Sequence, residues 1–182
     1  MSLKSLKSSS ADSSVRIRVE NPESIDDRAS IRAVNEAAFG GSDEADLVDH
    51  LRGDDHVLLS LVAEFESVIV AHILFSRMWI NTSSRLVPAV ALAPVAVLPT
   101  HQRKGIGSLL IRHGLELLRG RDERIVIVVG HPEYYPRFGF STDQAKALQS
   151  PFPREALMAM ELQKGALDGV QGSVVYLPAF GI

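Results

Sequence analysis

The stretch Val95-Ala96-Val97-Leu98-Pro99-Thr100-His101-Gln102-Arg103-Lys104-Gly105-Ile106-Gly107-Ser108 joins three parts in a set order. An apolar strand, residues 91–98, ends at Pro99. A basic turn with two glycines follows, and it opens directly into an amphipathic helix expected over residues 108–119. A helix N-terminus leaves backbone N–H groups without partners, and the macrodipole adds roughly half a positive charge there. Gly105 and Gly107 carry no side chain to hold a diphosphate off those groups, and Arg103 and Lys104 add two charges beside them. The arrangement is an anion site.

Two common phosphate motifs do not fit. A dinucleotide fingerprint needs glycine at position 110, which is Leu110, and Pro94 lacks the N–H that a central parallel strand requires. A Walker A loop fails because Lys104 precedes Gly105 and no GxxxxGK[ST] run exists.

Outward from this stretch, both directions alternate strands and helices. Residues 15–20 alternate Val15, Ile17 and Val19 with Arg16, Arg18 and Glu20, a half-buried strand pattern stopped by Asn21-Pro22. Ser24 or Asp26 is placed to cap a helix bearing Ile31, Val34 and Ala38, and Gly40-Gly41 ends it. Ser42 is expected to cap a second helix, whose first turn carries Asp43, Glu44 and Asp46. Residues 57–64 and 68–80 read as an antiparallel pair turning at Glu66-Ser67. Pro94 predicts a bulge or an unpaired site in the following strand. In the central helix, Ile106, Leu110, Gly114 and Leu117, joined by Leu109 and Leu118, form the expected apolar stripe. Gly114 weakens the helix by about 1 kcal/mol, which marks close approach to the sheet. Gly120 closes the helix, residues 124–129 form a strand covered on both faces, and residues 156–162 and 174–177 read as a closing antiparallel pair.

Composition narrows the function. A chain of 182 residues suits one domain, residues 15–182, behind a disordered tail, residues 1–14. With no cysteine, neither disulfides nor a cysteine nucleophile is available, which leaves the cytoplasm as the expected location. A net charge of −3 gives no broad drive toward nucleic acid. No apolar run reaches the ~20 residues of a spanning helix. The six histidines show no metal-ligand spacing, so no metal is expected. A GxSxG elbow is absent as well.

The segment from Val95 to Gly107 resembles motif A of the GCN5-related N-acetyltransferases, V-x-P followed by Q/R-x-x-G-x-G/A. Pro132-Glu133-Tyr134-Tyr135-Pro136-Arg137-Phe138-Gly139-Phe140 is similar to their motif B, Y-Y-x-x-x-G-F. His72-Ile73-Leu74-Phe75-Ser76 and Gly165-Ala166-Leu167-Asp168-Gly169-Val170 resemble the bacterial YhbS-like subgroup. The resemblance implies an α/β (α+β) fold, with helices flanking a mixed, mostly antiparallel seven-stranded sheet. A V-shaped split is implied between its fourth and fifth strands. It implies acetyl-CoA as co-substrate, held by Val95, Ala96, Val97, Gln102, Arg103, Lys104, Gly105, Ile106, Gly107 and Ser108. The acceptor would be a primary amine on a small molecule or peptide, attacking directly in a ternary complex. The protein would be a monomer or homodimer, with no nucleic-acid or membrane partner.

Within that resemblance, Tyr135 takes the place of the hydrogen-bond donor to the departing thiolate, and Tyr134 packs beneath the crevice. Many family members carry a glutamate shortly before V-x-P, whereas residues 89–93 offer no acid. His72 on the adjoining strand is the candidate base, since its ordinary pKa of about 6.5 suits neutrality. Glu64 acting through water is the other. The departure leaves a non-catalytic acyl-CoA sensor as one alternative, and the small Ala91, Ala93 and Ala96, with room beyond an acetyl group, leave a transferase using a larger acyl-CoA as the other.

Overall fold

The computed structural model describes residues 14–182, so the expected tail lies outside the described residues except for Ser14. Strand β1 (Arg16–Val19) is followed by helices α1 (Ile25–Phe39) and α2 (Asp43–Gly53). Ser24 caps α1, its Oγ accepting from the Asp27 N–H at 3.1 Å, and Gly40 closes the helix in the left-handed region at φ 76°. Arg18 donates to both carboxylate oxygens of Asp27, at 2.7 and 2.8 Å, and to Glu64, tying α1 to the sheet. Ser42 does not cap α2 as expected. Its backbone is already helical, and its hydroxyl donates to Asp46 instead.

Strands β2 (Val57–Phe65) and β3 (Val68–Thr82) form the expected hairpin, with Glu66 and Ser67 both at positive φ. Strand β4 (Leu86–Val97) runs antiparallel to β3. Their register pairs Ile73 with Val95 but Phe75 with Leu92, so Ala93 and Pro94 together face Leu74 alone. This is the bulge that Pro94 foretold. Helix α3 (Ile106–Arg119) then returns the chain to β5 (Ile125–Val129), which lies parallel to β4.

The sheet has eight strands rather than seven, the added one being the two-residue β6 (Leu148–Gln149). Strands β7 (Leu157–Glu161) and β8 (Gly172–Val175) do not form the closing pair that their patterns suggested. Instead β7 is antiparallel to β5, and β8 pairs with Trp79–Thr82 at the far end of β3 and with β6. The reason lies in the length of β3. Its fifteen residues outrun β2, whose pairing with it stops at Ser76, and the open backbone groups beyond need a partner.

Alternation along the central strands divides the core. Val90, Val126 and Val128 face α3, while Ala89, Ala91, Ile125 and Ile127 belong to a second cluster. Helices α1 and α2 bury Ile31, Val34, Val48 and Leu51 against Val62, Leu74 and Ala96 on the face away from α3. The buried side of α3 is Ile106, Leu110, Ile111, Gly114, Leu115 and Leu118. Leu109, assigned to the stripe from its spacing, is exposed, and Ile111 and Leu115 take its place. The helix begins two residues earlier than expected, at Ile106, and the centre of its buried arc lies between Ile106 and Leu115. Gly114 lies against the Phe75 ring, which a Cβ there would overlap. Gly120 stays right-handed at φ −70°, and the left-handed residue that turns the chain is Asp122.

Candidate active site

The parting of β4 and β5 creates the crevice. The two strands pair only at Val90–Val126 and Ala91–Ile127, and beyond the bulge β4 continues with β3 alone. The N–H of Leu98 donates to the Val70 carbonyl at 2.9 Å. Backbone groups alternate sides in an antiparallel ladder, so Ala96 also faces β3. The N–H and C=O groups of Val95 and Val97 are therefore directed toward the side that β5 has left. Gln102 reaches back to this edge, its Nε2 donating to the Val97 carbonyl at 3.0 Å.

Next along the chain, Arg103 sits at φ +60° and Gly105 at φ +83°, separated by Lys104, whose φ is not positive. Left-handed φ at alternate residues of a turn can aim successive N–H groups into one concavity, the geometry called a nest, which suits an anion. Gly105 is also the cap residue of α3, so the nest runs straight into the free N–H groups of Ile106, Gly107 and Ser108. Lys104 keeps its charge beside the turn. Its Nζ donates to the Thr100 carbonyl at 2.9 Å and braces the turn.

Across the crevice, a 3₁₀ turn (Tyr135–Phe138) follows β5 and brings two tyrosines together at 5.2 Å between ring centroids. Tyr135 packs edge-on against Phe140 at 5.9 Å and over Gly130, where a Cβ would overlap its ring. Burial pushes its phenol up to about 12. Tyr134 goes the other way. Its hydroxyl lies 3.2 Å from Ser108 Oγ in the first turn of α3, and the Arg137 guanidinium stacks 4.6 Å from its ring centre. Neither contact was visible in the sequence. The spacing of motif B brings the two tyrosines to the site but does not say which way each ring turns.

His72 lies elsewhere. It is completely buried on the α1 side of the sheet, and both ring nitrogens are engaged. Nδ1 is 3.1 Å from Asn35 Nδ2 and Nε2 is 3.0 Å from Ser60 Oγ. Asn35 Nδ2 also donates to the Ile31 carbonyl, so it is a donor toward His72 as well. Nδ1 must accept, and the proton sits on Nε2, facing Ser60. Ser60 in turn donates to Glu20, which Arg52 holds at 2.6 Å. Burial first, and the Arg52 charge second, push the His72 imidazole down to about 3. Glu64 accepts from Arg18 at 2.7 Å.

Among the described residues no helix is long and apolar enough to cross a membrane. Residues 22–142 match the family model for the acetyltransferase (GNAT) domain. The chain is 42% identical over 130 residues to the uncharacterized N-acetyltransferase YjhQ of Escherichia coli K12, covering 70% of this chain and 72% of that one. It is 32% identical over 163 residues to the uncharacterized N-acetyltransferase YhbS of the same strain, covering 88% and 95%. Among solved structures, YhbS from Escherichia coli in complex with CoA superposes with a TM-score of 0.83, at 30% identity over 92% of each chain. A GNAT family acetyltransferase from Brucella melitensis in complex with acetyl-CoA gives 0.76, at 36% identity over 92% of this chain and 99% of that one. With its split sheet, its nest at the start of α3 and these relatives, the chain belongs to the GNAT family of acyltransferases.

Proposed function

We propose that the protein moves an acetyl group from acetyl-CoA to a primary amine, by direct attack within a ternary complex. One observation carries this reading: the edge at Val95 and Val97 that β5 has left, touched at the Val97 carbonyl by Gln102, leads through one 3₁₀ turn into the nest at Arg103 and Gly105. An extended arm lying along the edge as an added strand would find its own backbone partners there. A diphosphate at its far end would reach the amides of residues 103–108. The relatives bound to CoA and acetyl-CoA support the same assignment. A backbone N–H on the free edge, that of Val97, is placed to polarise the thioester carbonyl.

The amine nitrogen bonds to the acetyl carbon, the C–S bond breaks, and the amine proton leaves to solvent. Tyr135 acts on the sulfur. With its phenol at about 12 against a thiol near 8.5, full proton transfer to the thiolate is uphill by about 5 kcal/mol. Tyr135 is therefore a hydrogen-bond donor to the thiolate, which takes its proton from water after release. His72 is not retained as the base. A neutral imidazole closed off from solvent, with both nitrogens occupied, cannot receive a proton from a bound amine. Glu64 is committed to Arg18. Water is the acceptor in this reading, and the reactive amine enters as its free base.

Steady-state thiol release with a set of amines, comparing the wild type with Tyr135→Phe, tests the proposal. Amine-dependent turnover that drops in the variant is expected. CoA binding with no turnover on any amine would make the protein an acyl-CoA sensor instead. Faster turnover with propionyl- or succinyl-CoA would move the donor to a larger acyl group.

A further inference from the structure

We propose that Tyr134 is a positioning residue for the coenzyme, acting through Ser108; the inference rests on the reading that a diphosphate binds at the first turn of α3. Ser108 is the third residue of that helix, and its Oγ lies 3.2 Å from the Tyr134 hydroxyl. The space beside Gly107 locates the phenol end more closely. A Cβ built there would be 3.4 Å from Tyr134 Oη, 3.5 Å from Val97 Cγ2 and 3.8 Å from Val95 Cγ1. The hydroxyl thus sits where the first turn of α3 meets the free edge of β4. The ring reaches it from the β5 side, held edge-on by Tyr135 at 5.2 Å and Phe138 at 5.3 Å, with Arg137 over its face. Tyr134 thus reaches from the turn after β5 to the first turn of α3.

The direction of the hydrogen bond follows from the ligand. A phosphate oxygen only accepts, so an anion beside Ser108 draws the single serine proton toward itself. Tyr134 must then be the donor to Ser108, and the chain runs from phenol to serine to phosphate. Without the phenol, a serine in the first helical turn is free to rotate and bond its own backbone. Tyr134 removes that freedom before the coenzyme arrives.

The test is a double-mutant cycle on the full chain, Tyr134→Phe, Ser108→Ala and both, read as affinity for CoA and for pantetheine, which carries the thiol arm without the diphosphate. Phenylalanine keeps the ring packing, and unfolding temperatures confirm that each variant folds. Each single change is expected to weaken CoA binding about three- to tenfold. The double variant should be no weaker than Ser108→Ala, and pantetheine binding should be unchanged throughout. Independent, multiplying losses would overturn the inference, as would an equal loss for pantetheine or unchanged CoA affinity in Tyr134→Phe. If the wild type itself does not bind CoA, the reading of the site fails and this inference with it. If the wild type binds and the cycle is additive, only the role of Tyr134 falls.

Discussion

The Tyr135 phenol, pushed up to about 12 by burial, stays protonated at every working pH, and in the proposed reaction its hydrogen would be available to a developing thiolate. Hydrogen bonds to charged groups contribute about 1.5–3 kcal/mol. Tyr135→Phe is therefore expected to lower kcat roughly 10- to 100-fold, with CoA affinity little changed, in single-turnover and binding measurements. Gly130→Ala should reproduce part of that loss, because its Cβ displaces the Tyr135 ring without touching the nest. In the proposed reading, His72 bears on stability rather than on the chemistry. Its folded pKa lies below the unfolded value, so the stability it contributes is complete above pH 6.5. That stability is lost as pH falls toward 3, where the native imidazole also takes up a proton. Asp27, held below its ordinary 3.8 by Arg18, adds a loss only at lower pH. Denaturant titrations between pH 6.5 and 4 should show a stability decline that His72→Gln flattens. The pH profile of kcat/KM should rise toward the pKa of the amine, and an inflection near 6.5 that disappears in His72→Gln would restore histidine as the base.

At the scale of elements, α3 is seated by one close approach. Gly114 lets the helix down onto Phe75. Gly114→Ala adds about 1 kcal/mol of helix propensity but overpacks the contact, which costs about 1–3 kcal/mol. A lower unfolding temperature is expected, recovered when Phe75→Leu is added. Because α3 carries the nest, the single variant should also bind CoA less tightly. The turn before α3 offers a second comparison. Arg103 holds a left-handed φ of +60° that glycine adopts freely and alanine does not. Arg103→Ala removes the charge and keeps the same Cβ constraint at that φ, whereas Arg103→Gly removes the charge and also relieves the backbone strain. If backbone amides do most of the anion binding, CoA affinity measured by calorimetry will fall only a few-fold in the alanine variant and less in the glycine variant, whereas equal large losses in both would assign the binding to the charge.

For the whole molecule, a ligand joining β4, α3 and the turn after β5 holds together parts that otherwise meet across a gap. Coenzyme at 100 times its Kd should stabilise the fold by about 2.7 kcal/mol. For a domain of this size that is an upward shift of roughly 5–11 °C in thermal unfolding. Absence of any shift with CoA would count against the binding site itself.

Much of this was legible along the chain. The spacing of Val97, Pro99, Gly105 and Gly107, with Tyr135 and Gly139 farther on, sufficed for the family, and Pro94 for the bulge. These features are local: a missing N–H, a missing Cβ and a helix start act on the backbone within a few residues of themselves. The partners of β7 and β8, the loss of His72 into a buried chain with Ser60 and Glu20, and the opposite turns taken by Tyr134 and Tyr135 were decided only in three dimensions. Each depends on which groups distant segments leave unsatisfied when they meet, and periodicity along one strand or helix carries no information about that.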